Sequence, residues 1–222
     1  MQPIEGAVIA AAGLGSRLGL GLPKCLLEIE GRTLLSRLID LLEPHVQRIH
    51  VVVGYREELV IEHCSRHHRE VVLVRNADFR TTNTARSMAM GARGFSGKIV
   101  FLDGDLLIAR PSIESFIARA ATTELLVGLT KQKSEDGVCV RVASDAVDES
   151  PTILGFARDP AYSLEWANVF SGPAGILDAA QGFVFEELGR RLPLPGQVLD
   201  LSEVDTPADL DHARQFGRHL FL

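Results

Sequence analysis

The chain has 222 residues, with 23 Lys plus Arg against 29 Asp plus Glu, a formal charge of −6. At 46% hydrophobic and 23% charged residues it has the usage of a folded chain rather than a disordered one. The acidic balance, with no Lys/Arg block, excludes the basic footprint of sequence-independent nucleic-acid binding. Apolar runs such as Ala7 to Leu14 and Ile99 to Leu102 fall well short of the ~20 residues of a membrane-spanning helix. Cys25, Cys64 and Cys139 are odd in number and far apart, which argues against both a disulfide framework and a zinc site. The opening Met-Gln-Pro-Ile-Glu shows no basic stretch ahead of an apolar core, so the expected compartment is the cytoplasm.

Ala7 to Ala11 is a β-compatible run that Gly13 and Gly15 end. Thr33 to Leu42 then places Leu34, Leu35, Leu38, Leu41 and Leu42 on one helical face. Arg48 to Val53 predicts a second strand, Glu57 to His67 a helix and Val71 to Val74 a third strand. Thr84 to Ala92 repeats Ala85, Met88, Ala89 and Ala92 at helical spacing, and Lys98 to Leu102 is a fourth strand running into Asp103-Gly104-Asp105. The second half is less regular. Leu125 to Leu129, Val138 to Val142, Ile153 to Phe156 and Asn168 to Phe170 are short strand candidates, expected to form an antiparallel excursion that covers the site. Ala179 to Arg190 predicts a helix, and the last helix starts at Thr206-Pro207-Ala208-Asp209 with Thr206 as its cap. With no repeat and no long linker, the expectation is one α/β domain over 1–222. Its architecture would be a Rossmann-like three-layer sandwich on a mostly parallel mixed sheet. In such sheets ligands sit beyond the carboxyl ends of the strands, where the loops Ala11 to Lys24 and Asp103 to Leu107 fall.

The first of these loops reads Ala11-Ala12-Gly13-Leu14-Gly15-Ser16-Arg17-Leu18-Gly19. Its glycines permit positive φ and let backbone N–H groups approach an anion. It is not a dinucleotide fingerprint, because Leu18 stands where the third glycine belongs, and not a Walker loop, because Lys24 lies between Pro23 and Cys25. What remains is Arg17 and Lys24 flanking backbone donors, a clamp suited to a polyphosphate. A plain strand-to-helix turn with two solvated basic residues stays open on these residues alone. His63 and His67 have metal-compatible spacing but lack the following Glu of a metalloprotease, so a solvated basic helix end is expected there. Cys25 is expected to pack rather than react.

Ala10 to Leu18, Pro23-Lys24, Gly31-Arg32-Thr33-Leu34-Leu35, Val52-Val53-Gly54-Tyr55, Asp103-Gly104-Asp105 and Glu203-Val204-Asp205-Thr206-Pro207 together resemble the nucleotidyltransferases that make activated sugars and alcohols. The stretch Asn76 to Met88 is most similar to the CTP:phosphocholine, inositol-phosphate and phosphonate cytidylyltransferases, here as a stand-alone catalytic domain. The resemblance implies a Mg²⁺-dependent transfer from CTP to a small phosphorylated or phosphonate alcohol or amine, with pyrophosphate released. It implies Arg17 at the β/γ-phosphates and Lys24 near the α-phosphate. Ala11, Ala12, Gly13, Gly15 and Ser16 would line the nucleotide, and Asn83, Thr84 and Ser87 would complete base recognition. Asp105 and Asp205 would hold the metal, an assignment that leaves capping of the last helix to Thr206. Asp103, expected to point away from Asp105, ranks third as a contact to the nucleotide or to the ion's ligands. Glu165 and Trp166 fall in the acceptor region, where an aromatic beside a carboxylate suits a cationic headgroup as well as a core position. Two alternatives remain: a sugar-1-phosphate or cofactor nucleotidyltransferase using another NTP, and a non-catalytic nucleotide-binding regulator. Neither nucleic acid nor membrane is an expected partner. A homodimer is allowed, although no apolar stripe demands one.

Overall fold

In the computed structural model the described residues are 3–15, 18–19, 21–132, 137–143, 150–158 and 162–221. Strand β1 (Ile4–Ala11) lies at the heart of the first half and leads through a loop to a small hairpin, β2 (Glu28–Ile29) and β3 (Arg32–Thr33). There follow α1 (Leu34–Leu42), β4 (Arg48–Val53), α2 (Glu57–His67), β5 (Val72–Arg75), α3 (Thr84–Gly91) and β6 (Lys98–Asp103). These match the predicted order closely. Two elements that the sequence reading passed over come next, β7 (Leu106–Ile108) and α4 (Arg110–Ala120), the latter opened by Pro111 in its first turn. The second half contributes β8 (Leu126–Lys131), β9 (Cys139–Val142), β10 (Thr152–Ala157), β11 (Leu164–Pro173), α5 (Val184–Gly189), β12 (Leu194–Val198), β13 (Leu201–Glu203) and α6 (Pro207–Phe221).

The main sheet has the order β5-β4-β1-β6-β11-β8-β12-β10-β9. The first four strands are parallel, and β11 inserts antiparallel between β6 and β8. Both faces are covered, which explains the nearly unbroken apolar runs of β1, β4 and β6. Ile9, Val51, Val53, Val100 and Leu102 pack toward α1, α2 and α4, while Val8, Val52 and Phe101 pack toward α3 and α5. The stacked Phe101 and Phe170 rings, 4.5 Å apart, carry that second core across the β6–β11 seam. A third cluster of Ile29, Leu34, Leu107, Val204 and Ala213 seats α6. The result is the expected three-layer α/β sandwich on a mixed sheet. Among the described residues no helix is long and apolar enough to cross a membrane.

Three expectations need correction. The antiparallel strands β9 and β10 extend the far edge of the sheet, and among the described residues none of theirs lines the cavity at the carboxyl end of β1. The helix expected over Ala179 to Arg190 begins only at Val184. The Glu186 carboxylate accepts from Phe183 N–H at 2.8 Å and that of Glu187 from Gln181 N–H at 3.3 Å, so these side chains take donors that an earlier helical turn would have used. The end of α2 is a solvated basic end only in part: Arg66, His67 and Arg69 are exposed, but His63 and His68 are engaged. His63 Nε2 lies 2.9 Å from Ser36 Oγ and 3.1 Å from Thr33 Oγ1, and His68 Nε2 lies 2.7 Å from the same Ser36 oxygen. Thr33 also caps α1, accepting from Ser36 N–H at 3.1 Å. The imidazoles thus tie α2 to the start of α1.

Candidate active site

Beyond the carboxyl end of β1 lies a cavity of about 500 Å³, where a parallel sheet places its ligands. One wall is the loop after β1, with Ala11, Ala12, Gly13 and Gly15, in which Gly15 takes the left-handed φ of +58°. Arg17 and Ser16, expected in the same loop, lie outside the described residues. Pro23 fixes the chain (φ −55°) ahead of a single 3-10 turn, Lys24–Leu26, so Lys24 enters the cavity while Cys25 beside it is 2% exposed. Burial pushes the Cys25 thiol well above its ordinary range, consistent with a packing residue that also borders the cavity.

The opposite wall is acidic. The turn after β6 is pinned to β1 by the bond from Gly104 N–H to the Ala10 carbonyl, 2.9 Å, and carries Asp103 and Asp105. Antiparallel pairing of β13 with β7, and the bond from Val204 N–H to the Asp105 carbonyl at 3.1 Å, bring Glu203 and Asp205 alongside. Carboxylate oxygens of Asp105, Glu203 and Asp205 lie within 4.8 Å of one another. Lys24 Nζ donates to Asp105 Oδ2 at 3.0 Å and pairs with Asp205. Burial opposes its charge, but Asp105 and Asp205 outweigh that and hold the ammonium above the usual lysine range. Burial, then repulsion from Asp105 and Asp205, pushes Glu203 up to about 9. Asp103 is raised by burial and then by Asp105, which corrects the expectation that the two diverge: residues two apart on extended chain share a side, and both face the cavity.

The donor set fits a hard divalent cation. It offers three carboxylates whose mutual repulsion a cation relieves, and Asp105 Oδ1 is buried without a hydrogen-bond partner among the described residues. Glu203 was not anticipated as part of this set. Its signal was the alternation Glu203-Val204-Asp205, in which the fully buried Val204 turns inward and both acids turn the other way.

A third wall comes from α3 and the loop before it. Asn83, Thr84 and Ser87 line the cavity as expected, but Asn83 is heavily engaged. Its Oδ1 caps α3 by accepting from Arg86 N–H at 3.0 Å, and its Nδ2 donates to the Gly182 carbonyl at 2.8 Å. The second bond pulls Phe183 to the rim, where it is 52% exposed beside Leu14 at 40%. Asn76, 1% exposed, donates to Thr82 Oγ1 at 2.9 Å and Ser87 Oγ at 3.0 Å, shaping this loop from below. Glu165 and Trp166 do not meet at the cavity. As neighbours on β11 they point to opposite faces, Trp166 packing 6.3 Å from Phe185 in the α5-side core and Glu165 buried opposite Thr130 of β8. Of the two positions open to Trp166, headgroup contact or core, it takes the core; Phe79 and Phe183, the latter stacked on Phe185 at 5.8 Å, are aromatics that line the cavity.

Residues 7–175 match the family described as the MobA-like NTP transferase domain. The chain is similar to the CMP-5'-(3-aminopropyl)phosphonate synthase of Streptomyces rubellomurinus, at 30% identity over 84% of this chain and 31% of that protein. It is also similar to the bifunctional protein GlmU of Hyphomonas neptunium, at 32% identity over 78% of this chain and 32% of that protein. It spans about a third of the length of these curated relatives. In fold it resembles the inositol-1-phosphate CTP transferase from T. maritima, with a TM-score of 0.74 and 20% identity, covering 99% of this chain and 98% of that one.

Proposed function

The chain belongs to the MobA-like NTP transferase family, and from that premise we propose that it is a Mg²⁺-dependent cytidylyltransferase joining CTP to a small phosphorylated or phosphonate alcohol or amine. The observation that carries a transferase rather than a binder is Lys24 held among Asp105, Glu203 and Asp205 beside the loop after β1. A pure nucleotide sensor has no use for so costly a juxtaposition of buried charge. The choice of cytidine and of the acceptor class is favoured by the synthase relative and by the residues of the Asn76 to Met88 stretch.

In this reaction an acceptor phosphate or phosphonate oxygen, already anionic, attacks the α-phosphorus of CTP. The bond to the leaving pyrophosphate breaks, and no general base is needed. Catalysis is then positioning and charge neutralisation. Lys24 supplies a fixed positive charge at the acidic wall, and Arg17 is assigned to the β/γ-phosphates. Asp105 and Asp205, with Glu203 as a third oxygen donor, would hold the magnesium, which when bound offsets the charge of the phosphate oxygens. Phe183 and Leu14 offer apolar surface at the rim to the nucleotide or to the acceptor's carbon skeleton. The GlmU relative supports a second reading, a sugar-1-phosphate nucleotidyltransferase using another NTP.

Pyrophosphate release, assayed with each NTP against phosphocholine, inositol 1-phosphate, an aminoalkylphosphonate and a panel of sugar 1-phosphates, separates these readings. The expected result is turnover with CTP and a non-sugar acceptor, and a fall of roughly 10³-fold in Asp105→Ala and Asp205→Ala with the fold intact. Turnover with another NTP and a sugar phosphate would replace this reading by the second, and silence across the panel would replace both by a regulator.

A further inference from the structure

We infer that Asn168 is a positioning residue for the acidic site: its side-chain amide holds Glu203 in the orientation from which the three carboxylates take a divalent cation. This rests on the metal reading given above. Asn168 lies in the middle of β11, and its backbone is left-handed, with φ +55°. A residue other than glycine is uncommon there, and asparagine is among the few that tolerate it. The conformation is built into a bulge. Between the pairs Trp166–Leu129 and Phe170–Val127, β11 advances four residues while β8 advances two. Gly128 of β8 makes room for it, since a Cβ there would meet Leu199 Cδ1 at 2.9 Å and the Val169 carbonyl oxygen at 3.0 Å.

On its other side β11 keeps regular antiparallel register with β6, Val169 opposite Leu102. Asn168 therefore stands level with the end of β6, where Asp103 leads into the acidic turn. From that place its Nδ2 donates to Glu203 Oε2 at 3.0 Å. Glycine would adopt the same backbone more freely, so the bulge alone does not explain the amide. Strained backbone persists where the surroundings enforce it, and such positions cluster at functional sites. Here the strain aims a hydrogen-bond donor at one carboxylate of a crowded set. The bond leaves Oε1 of Glu203 for the cation and restricts the side chain's rotamers. Partners that orient metal ligands typically change metal affinity 10–100-fold when removed.

The test uses the full chain and Mn²⁺ as the probe, its binding followed by loss of the free-ion electron paramagnetic resonance signal without nucleotide. Asn168→Gly keeps the backbone and deletes the amide. It is expected to melt within a few degrees of wild type and to bind Mn²⁺ about tenfold more weakly. Asn168→Ala restores the backbone strain without the amide and is expected to melt lower, yet to show the same tenfold loss. Wild-type Mn²⁺ affinity in Asn168→Gly would overturn the positioning role. So would affinities in the two variants that track their melting temperatures, which would assign Asn168 to the backbone alone. Failure of wild type to bind Mn²⁺, or binding by Asp105→Ala as tight as wild type, would overturn the underlying metal reading instead.

Discussion

Lys24 shows how a single side chain settles the character of the site. Its ammonium is largely buried, at 17% side-chain exposure, and it bridges Asp105 and Asp205 beside Glu203. Removing one partner of a buried ion cluster leaves the others uncompensated. Lys24→Met is therefore expected to lower stability at neutral pH by about 2 kcal/mol, somewhat less than for a fully buried pair. Millimolar Mg²⁺ is expected to recover much of that loss, because the ion takes over the neutralisation. Urea denaturation with and without Mg²⁺ measures both effects, and an unchanged midpoint in the metal-free variant would refute the role given to the ammonium. At this scale the sequence was readable where chemistry is written into residue type. The glycine loop, Lys24, Asp105 and Asp205 stand out by residue type and spacing alone, and the fold brings Lys24, Asp105 and Asp205 together. Glu203 was missed although strand alternation already placed it beside Asp205. For Glu165 and Trp166 the residues allow a headgroup pair or a core position, and strand alternation, which sends neighbours to opposite faces, puts Trp166 in the core.

At the scale of elements, the join between α1 and α2 carries a pH dependence. His63 sits against Thr33 and Ser36 of the α1 start, with Arg32, His67 and His68 as its charged or titratable neighbours and Asp40 and Glu43 acting on His68. Burial first, then His67 and His68, pushes His63 down to about 4. An unfolded histidine titrates near 6.5, so between those values the unfolded chain holds more protons on this group than the folded one. Stability therefore rises with pH across the window and is lost as pH falls through it. Thermal midpoints at pH 7.5 and 5.0 are expected to fall toward acid, and to fall less in His63→Gln; equal slopes in both proteins would exclude His63 as the source. Element boundaries were most legible where periodicity and caps agree, as at α1 and α6. In α6, Thr206 Oγ1 accepts from Asp209 N–H at 3.3 Å and Asp209 Oδ2 accepts from Thr206 N–H at 2.8 Å. They were least legible at α5, where the carboxylates of its third and fourth residues, rather than an apolar pattern, decide where it starts.

For the whole molecule, the sheet order predicts a gradient of stability. β1 and β6 are central, paired on both sides and buried almost throughout, whereas β5 is an edge strand paired only with β4 and half exposed along its length. Amide hydrogen exchange is expected to be slowest in β1 and β6, at rates set by global unfolding, and clearly faster in β5 through local fraying. Protection of β5 equal to that of β1 would contradict this. The sequence by itself determined the alternation of strands and helices in the first half, the anion-friendly loop and the identities of the charged groups. Each of these is a matter of local spacing, local propensity or residue type. Only the tertiary structure decided that β11 runs antiparallel between β6 and β8, that Asn168 faces Glu203, and that Lys24 meets carboxylates 81 and 181 residues further along the chain. Contacts of that length come from strand pairing and core packing, in which distant segments choose one another by shape and buried area, and such choices leave no periodic trace in either segment alone.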